Sequence, residues 1–197
     1  WPGYGRVWGA PAMSEAMEEN KKLGVNWVAI HPYAGVRRNG SLRFSPAAKT
    51  DYLVGAMKRA KDGGVEIFYK PHLAYWGSFE WRGSIAFSTE AEWKRFFHDY
   101  EVWIVDQARF AQTHGVTLFS GGLEYKATLH READWRRIIK AVRRVYRGRL
   151  TYAANWDSID RVPFWDALDV VGVQAYFPLG ADNASPEVWK RSFGQAL

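Results

Sequence analysis

The chain contains no cysteine, which excludes disulfides, thiolate nucleophiles and thiolate metal sites together. This absence does not choose a compartment, because oxidising environments permit disulfides without requiring them. No apolar run approaches the roughly 18 residues that a membrane span requires, so no membrane partner is expected. No secretory leader is visible, and the chain starts at Trp1 rather than Met, as a processed or truncated N-terminus would. Neither G-x-G-x-x-G nor a Walker A sequence occurs, so a phosphate-cradling loop is not expected. G-x-S-x-G is missing, and with it the nucleophile elbow of serine hydrolases. His31, His72, His98, His114 and His130 are scattered and form no H-E-x-x-H pair, so no metal is expected.

Aromatic residues and positive charge, by contrast, are plentiful. Eleven tryptophans in 197 residues supply a core and leave enough rings for a groove that stacks on sugars or bases. The net charge of +6 raises nucleic acid as a partner. Much of the positive charge lies in "DWRRIIKAVRRVYRGR", residues 134–149. There Trp135, Ile138, Ile139, Val142, Val145 and Tyr146 recur at helical spacing, with Arg137, Lys140, Arg144 and Arg147 on the other side. That pattern predicts the solvated outer face of an amphipathic helix. With no helix-turn-helix, zinc-finger or RNA-binding signature beside it, no nucleic-acid partner is expected.

Strand-like and helical segments alternate along the chain. Helical "SEAMEENKKLG" ends at Gly24 and leads into the strand "GVNWVAIHPY", as a helix closed by glycine should. "SPAAKTDYLVGAMKRAKDGG" predicts a helix with Ser45 as its cap and Pro46 in the first turn, followed by the strand "VEIFYKPHL". A long helix is expected from about Thr89 to His114, with Trp93, Phe96, Phe97, Tyr100, Ile104, Ala108 and Ala111 facing inward. The strand "VTLFSGGLEYKATL" (116–129), the arginine-rich helix, and the strands "LTYAANWD" and "DVVGVQAYFPL" come next. The chain closes on helical "SPEVWKRSFGQAL". Five strands separated mostly by helices predict βαβ units and a parallel sheet in one domain, residues 1–197.

The strand ends decide between an open sheet and a barrel. They read His31-Pro32-Tyr33, Lys70-Pro71-His72, Glu124-Tyr125, Asn155-Trp156-Asp157 and Gln174-Ala175-Tyr176. Each strand starts apolar and finishes with groups that titrate or hydrogen-bond, which is where (β/α)8 enzymes carry their chemistry. A complete barrel has eight strands in about 250 residues, so the expectation is an incomplete α/β TIM barrel.

With metal, serine and phosphate chemistry set aside, carboxylates among aromatic and hydrogen-bonding groups remain, which is the equipment of glycoside hydrolysis. Glu124 suits the general acid, since a semi-buried strand end raises a carboxyl pKa. The competing reading of Glu124 is a salt bridge to Lys70 or to an arginine at the rim. Gly121 and Gly122 would leave room for substrate to approach the backbone. Lys70 and His72, two apart on one strand, would project to one side and bind sugar hydroxyls or hydrogen-bond within the mouth. Trp76 and Trp81, in the loop "AYWGSFEWRGS", would stack on sugar rings or pack the loop. His31, Asn155, Trp156 and Tyr176 complete the candidate binding residues. Asp157 and Asp160 read as loop or cap residues.

The series "GVNWVAIHPYA", "YKPHLAYWGSFEWRGSIAF", "GGLEYK", "LTYAANWD" and "FWDALDVVGVQAYFPL" resembles glycoside hydrolase family 113, (β/α)8 barrels of the large retaining clan that includes many β-mannanases. The resemblance runs from about Gly24 to Trp189. It implies an enzyme that hydrolyses β-1,4-mannan internally with retained configuration and no metal; a monomer without cofactor is expected. It further implies that Glu124, ending the fourth strand, is the general acid/base, and that Lys70 and His72 lie in the sugar cleft. Tyr176, ending strand six, corresponds to an aromatic residue near the nucleophile. The wider clan carries Asn directly before the acid/base, where this chain has Leu123. By the same alignment the chain holds strands two to six, with Trp1 after strand one. The nucleophilic glutamate of strand seven is then expected beyond Leu197; Glu187, at a helix start, does not fit that role. The alternative is a non-catalytic barrel that binds oligosaccharide or polysaccharide.

Overall fold

The computed structural model describes residues 10–177 and 185–196. Trp1 and the last two residues of the predicted fifth strand, 178–179, lie outside them. In chain order the elements are α1 (Pro11–Lys22), β1 (Trp27–Ile30), β2 (Tyr33–Val36), β3 (Leu42–Arg43), α2 (Asp51–Asp62), β4 (Glu66–Tyr69) and β5 (His72–Ala74). Then come α3 (Glu90–Thr113), β6 (Leu118–Leu123), α4 (Glu132–Arg143), β7 (Arg149–Asn155), β8 (Val170–Gln174) and α5 (Pro186–Ala196).

The main sheet has five strands in the order β1-β4-β6-β7-β8, all parallel. Each of these strands pairs with its successor along the chain. A doubly wound sheet reverses its order at a switch point, whereas barrel staves add one after another around a circle. The arrangement is therefore five successive staves of a (β/α)8 barrel.

Helix α3 anchors the fold. Thr89 caps it: its hydroxyl accepts from the Glu92 N–H at 3.3 Å while the Glu92 carboxylate accepts from the Thr89 N–H at 3.0 Å, a reciprocal capping box. The predicted inward stripe is buried throughout, joined by Trp103, Gln107 and Phe110. Two of its acids reach out to the rim. Asp99 accepts from the Leu42 N–H at 3.0 Å and Asp106 from the Ala47 N–H at 2.8 Å.

That rim is a second sheet, order β3-β2-β5, and it revises two predicted strands. "GVNWVAIHPY" and "VEIFYKPHL" each break after the polar residue, at Pro32 and Pro71, because proline has no N–H for the ladder. The chain resumes as β2 and β5, which pair with each other. At the tip between β2 and β3, Gly40 has φ +83°, and a Cβ there would stand 2.3 Å from the Glu92 carbonyl oxygen. Only glycine lets this turn lie against α3.

Two further predictions are corrected. Ser45 does not cap a helix: a 3-10 turn occupies Ala47–Lys49, and α2 starts at Asp51 with Thr50 as N-cap and no side-chain cap bond. The arginine-rich helix ends at Arg143, although Tyr146 beyond it remains buried. The predicted outer face, Arg137, Lys140, Arg144 and Arg147, is exposed, with Arg137 meeting Glu101 at 2.9 Å. Beside it, Arg136 meets Asp166 at 2.9 Å and the N-cap residue Arg131 meets Glu90 at 2.8 Å. No helix among the described residues is long and apolar enough to cross a membrane.

Candidate active site

The end of β6 is built to hold one carboxylate. Its pairing with β7 slips between Ser120 and Leu123: three steps along β6 match two along β7, a one-residue bulge that re-aims the strand end. The Ser120 hydroxyl donates to the Gly122 carbonyl at 2.6 Å inside the bulge. Glu124 then takes φ +55°, alone among the described non-glycine residues in the left-handed region. L-residues adopt that conformation at a cost. Three bonds hold it: the Glu124 N–H donates to Ala153 O at 2.9 Å, the Tyr125 N–H to the Tyr152 hydroxyl at 2.8 Å, and the Lys126 N–H to Glu124 O at 2.9 Å.

The glycines before it serve a different purpose from the one expected. A Cβ on Gly122 would sit 2.7 Å from the Tyr152 ring and 3.0 Å from the Trp135 ring, whereas one on Gly121 would meet nothing nearer than 3.6 Å. Gly122 makes way for core rings, not for substrate.

The Glu124 side chain is 12% exposed and faces Arg82, itself 16% exposed, at 3.4 Å. Arg82 starts the 3-10 turn Arg82–Ser84 and lies over the Tyr75 ring at 5.7 Å. Its Nη1 also stands 3.4 Å from His72 Nδ1. Lys70, buried, donates to the Gln174 side-chain oxygen at 3.0 Å. His31 and His72 pack ring to ring at 4.5 Å. The result is a cluster of a carboxylate, an arginine, a lysine, two imidazoles and an amide, drawn from the ends of β1, β4, β6 and β8, the start of β5 and one loop.

Burial sets the protonation of this cluster. It raises the Glu124 pKa above the ordinary carboxylate value, against the charges of Arg82 and Lys70 and the Gln174 amide, and Asp157 adds to the rise. Burial, with Lys70 and Arg82 nearby, lowers His31 to about 4. Burial also lowers His72 to about 2, helped by His31, Arg82 and Lys70. Both imidazoles are therefore neutral at neutral pH. Burial and Arg82 lower Lys70, while Glu124 opposes them.

The other candidates ring this centre. Trp76, 60% exposed, is stacked on Tyr33 at 5.7 Å, which in turn meets His72 edge-on at 5.2 Å. Trp81 lies across Gly83, where a Cβ would come 2.0 Å from its ring, so it packs its own loop. Asn155 donates to Asp157 at 2.8 Å, and Asp157 accepts from Lys126 at 2.8 Å. Trp156 meets Phe177 edge-on at 5.9 Å. Tyr176 is 77% exposed. The structure thus brings Glu124, His31, Lys70 and His72 together, and sets Trp76 beside them. The contacts described for Trp81, Asn155 and Trp156 are with other residues, and Tyr176 is exposed.

Lys70 and His72 do not share a strand as predicted, since Pro71 divides β4 from β5; they converge through Arg82 and Glu124 instead. Nothing in the sequence pattern marks Arg82, and Gln174 is legible there only as part of a polar strand end. No group of three or more His, Asp or Glu side chains among the described residues is placed to hold a metal ion. A surface concavity of about 650 Å³ beside α2, lined by Tyr33, Thr50, Tyr52 and Gln107 among others, includes none of Glu124, Lys70 and His72.

Comparison with solved structures bears on the fold. A GH113 β-1,4-mannanase solved as a complex superposes with a TM-score of 0.81 at 26% identity, over 98% of this chain and 62% of that one. Another GH113 β-1,4-mannanase structure gives 0.79 at 25% identity, over 98% and 62%. The GH113 β-mannanase of Alicyclobacillus acidocaldarius in complex with ManMIm gives 0.78 at 24% identity, over 96% and 63%, a likeness of fold. The chain spans about 62% of the length of the first two. No curated protein sequence matches it. The family description Glycoside Hydrolase Family 113 matches residues 1–195, and on that match, with the barrel topology and the carboxylate at its mouth, the chain belongs to glycoside hydrolase family 113.

Proposed function

We propose that this chain is the acid/base-bearing part of a retaining glycanase that hydrolyses β-1,4-linked polysaccharide internally, with β-mannan as substrate. The observation that carries the reading is Glu124, a half-buried carboxyl group at a strand mouth whose pKa burial raises. Burial favours the neutral, proton-bearing form of this group, the form that delivers a proton to a departing sugar oxygen. In the second half of the reaction the same group, now ionised, takes a proton from water as the glycosyl intermediate is hydrolysed. The nucleophile that forms that intermediate is a glutamate outside residues 1–197, about 5–5.5 Å from Glu124 as retention requires.

His31, Lys70 and His72 bind sugar hydroxyls beside Glu124. Trp76, Trp81, Asn155, Trp156 and Tyr176 line the approach, with Trp76 offering a stacking face. Mannan is favoured over other glycans because the solved relatives are named β-1,4-mannanases. Residues 1–197 form one partial catalytic domain that acts as a monomer and takes no cofactor.

The test is sugar release from β-1,4-mannan, β-1,4-glucan and β-1,4-xylan by the full-length protein and its Glu124→Gln variant. Release from mannan, with a loss of roughly 10²–10⁴-fold in the variant, supports the proposal. A variant that still hydrolyses mannan overturns the role of Glu124. A parent that binds mannan and releases nothing is the non-catalytic barrel.

A further inference from the structure

The basic groups around Glu124 are not equivalent. Lys70 commits a hydrogen bond to Gln174, whereas Arg82 stands between two chemically distinct neighbours. A single atom, Nη1, is 3.4 Å from Glu124 Oε2 and 3.4 Å from His72 Nδ1. A guanidinium has donors only and no acceptor. Both atoms that face it must therefore present lone pairs.

The proton positions are fixed as a result. Whenever Glu124 carries its acidic proton, that proton cannot sit on Oε2 against Arg82 and so sits on Oε1. On His72, neutral at working pH, Nδ1 accepts and the proton resides on Nε2. That nitrogen is buried and has no hydrogen-bond partner among the described residues. It is then a buried N–H donor that no described group accepts from.

We infer that Arg82 is a positioning residue for this site: its guanidinium holds the acid proton of Glu124 on Oε1 and fixes His72 as the Nε2–H tautomer. Arg82 is itself aimed by its place at the head of the 3-10 turn Arg82–Ser84 and by the Tyr75 face beneath it. The inference rests on the reading of Glu124 as the acid/base. The other groups acting on the Glu124 carboxyl are Lys70 at the end of β4, Gln174 at the end of β8 and Asp157 after β7; His72 faces Arg82 and packs on His31.

The experiment compares full-length wild type, Arg82→Met, Arg82→Lys and Glu124→Gln on mannan across pH, alongside ¹⁵N NMR of His72. Circular dichroism checks folding, and Arg82→Gln replaces Arg82→Met if the latter does not fold. In Arg82→Met, kcat is expected to fall roughly 10- to 100-fold from misplacement of the acid, with KM nearly unchanged. Its basic limb moves to higher pH, because the lost cation had favoured the ionised carboxylate. Arg82→Lys keeps the charge and leaves the limb near its wild-type position. The ¹⁵N shifts of wild-type His72 report Nε2–H. A basic limb unmoved in Arg82→Met, an equal shift in Arg82→Lys, or an Nδ1–H tautomer overturns the inference. Failure of the underlying reading looks different: Glu124→Gln would keep both activity and basic limb.

Discussion

Lys70 and Gln174 meet across the barrel mouth at 3.0 Å although 104 residues separate them in sequence. One lies just past the second stave and the other ends the fifth, so a single hydrogen bond ties the two sides of the arc. The two partners are unequal. Lys70 is a buried ammonium whose charge burial opposes, while Gln174 supplies the acceptor that satisfies it. Removing the charge relieves a desolvation cost; removing the acceptor leaves that cost unrelieved. Gln174→Leu is therefore expected to destabilise the fold by about 1–3 kcal/mol, and Lys70→Met to be close to neutral. Urea unfolding of both variants measures this, and the reverse order would show that the lysine is solvated.

The two glycines of the β6 bulge separate by the same logic of what lies beneath them. A methyl group on Gly122 meets the rings of Tyr152 and Trp135, and one on Gly121 finds ordinary contacts. Overpacking a dense core costs about 1–3 kcal/mol. Gly122→Ala should lose that much stability, with Gly121→Ala well below it, in thermal or denaturant melts. Equal losses would mean that the bulge needs glycine for its backbone and not for the rings.

How far the site is legible in the sequence depends on where each residue sits. Glu124, His31, Lys70 and His72 close apolar runs with polar groups, and a parallel strand carries such a change of character to one end of the sheet. Their convergence is readable for that reason. Arg82 ends no strand and belongs to no periodic pattern; only the folding of its loop brings it to Glu124. The rim sheet of β2, β3 and β5 escapes notice because its strands are two to four residues long, too short for alternation to show. Pro32 and Pro71 are the available signal, since each removes a ladder donor. Gln174 is overshadowed by Tyr176, whose aromatic ring is the more conspicuous sugar-contact signal at the same strand end.

Glu124 holds its position at the cost of backbone strain. Its φ of +55° suits glycine and penalises every side chain. The catalytic proposal and the strain make separate predictions. Glu124→Gly and Glu124→Ala should both lose mannan hydrolysis, yet the glycine variant should be the more stable by roughly 0.5–1 kcal/mol, the left-handed penalty less the greater chain entropy of glycine. Paired melts test it. An alanine variant at least as stable as the glycine variant would show that the backbone relaxes once the carboxylate is gone.

The histidine pair predicts how stability responds to acid. An unfolded chain protonates both imidazoles near pH 6.5, whereas the folded site keeps His31 neutral down to about 4 and His72 down to about 2. Between those values the unfolded state binds more protons, so stability rises with pH and is lost as pH falls below 6.5. Each histidine contributes a slope approaching roughly 1.4 kcal/mol per pH unit. Glu124 acts in the opposite sense, because its folded-state pKa is raised, and the absolute slope of the wild type mixes the two. The comparison that isolates the effect is urea unfolding of wild type and His72→Gln from pH 7 to pH 5. The variant should lose about 1 kcal/mol less per pH unit on acidification. His31→Gln should behave alike, with its advantage ending near pH 4, where folded His31 itself takes up a proton. Parallel curves for wild type and His72→Gln would mean that His72 charges within the folded protein, and its Nδ1 could then no longer accept from Arg82.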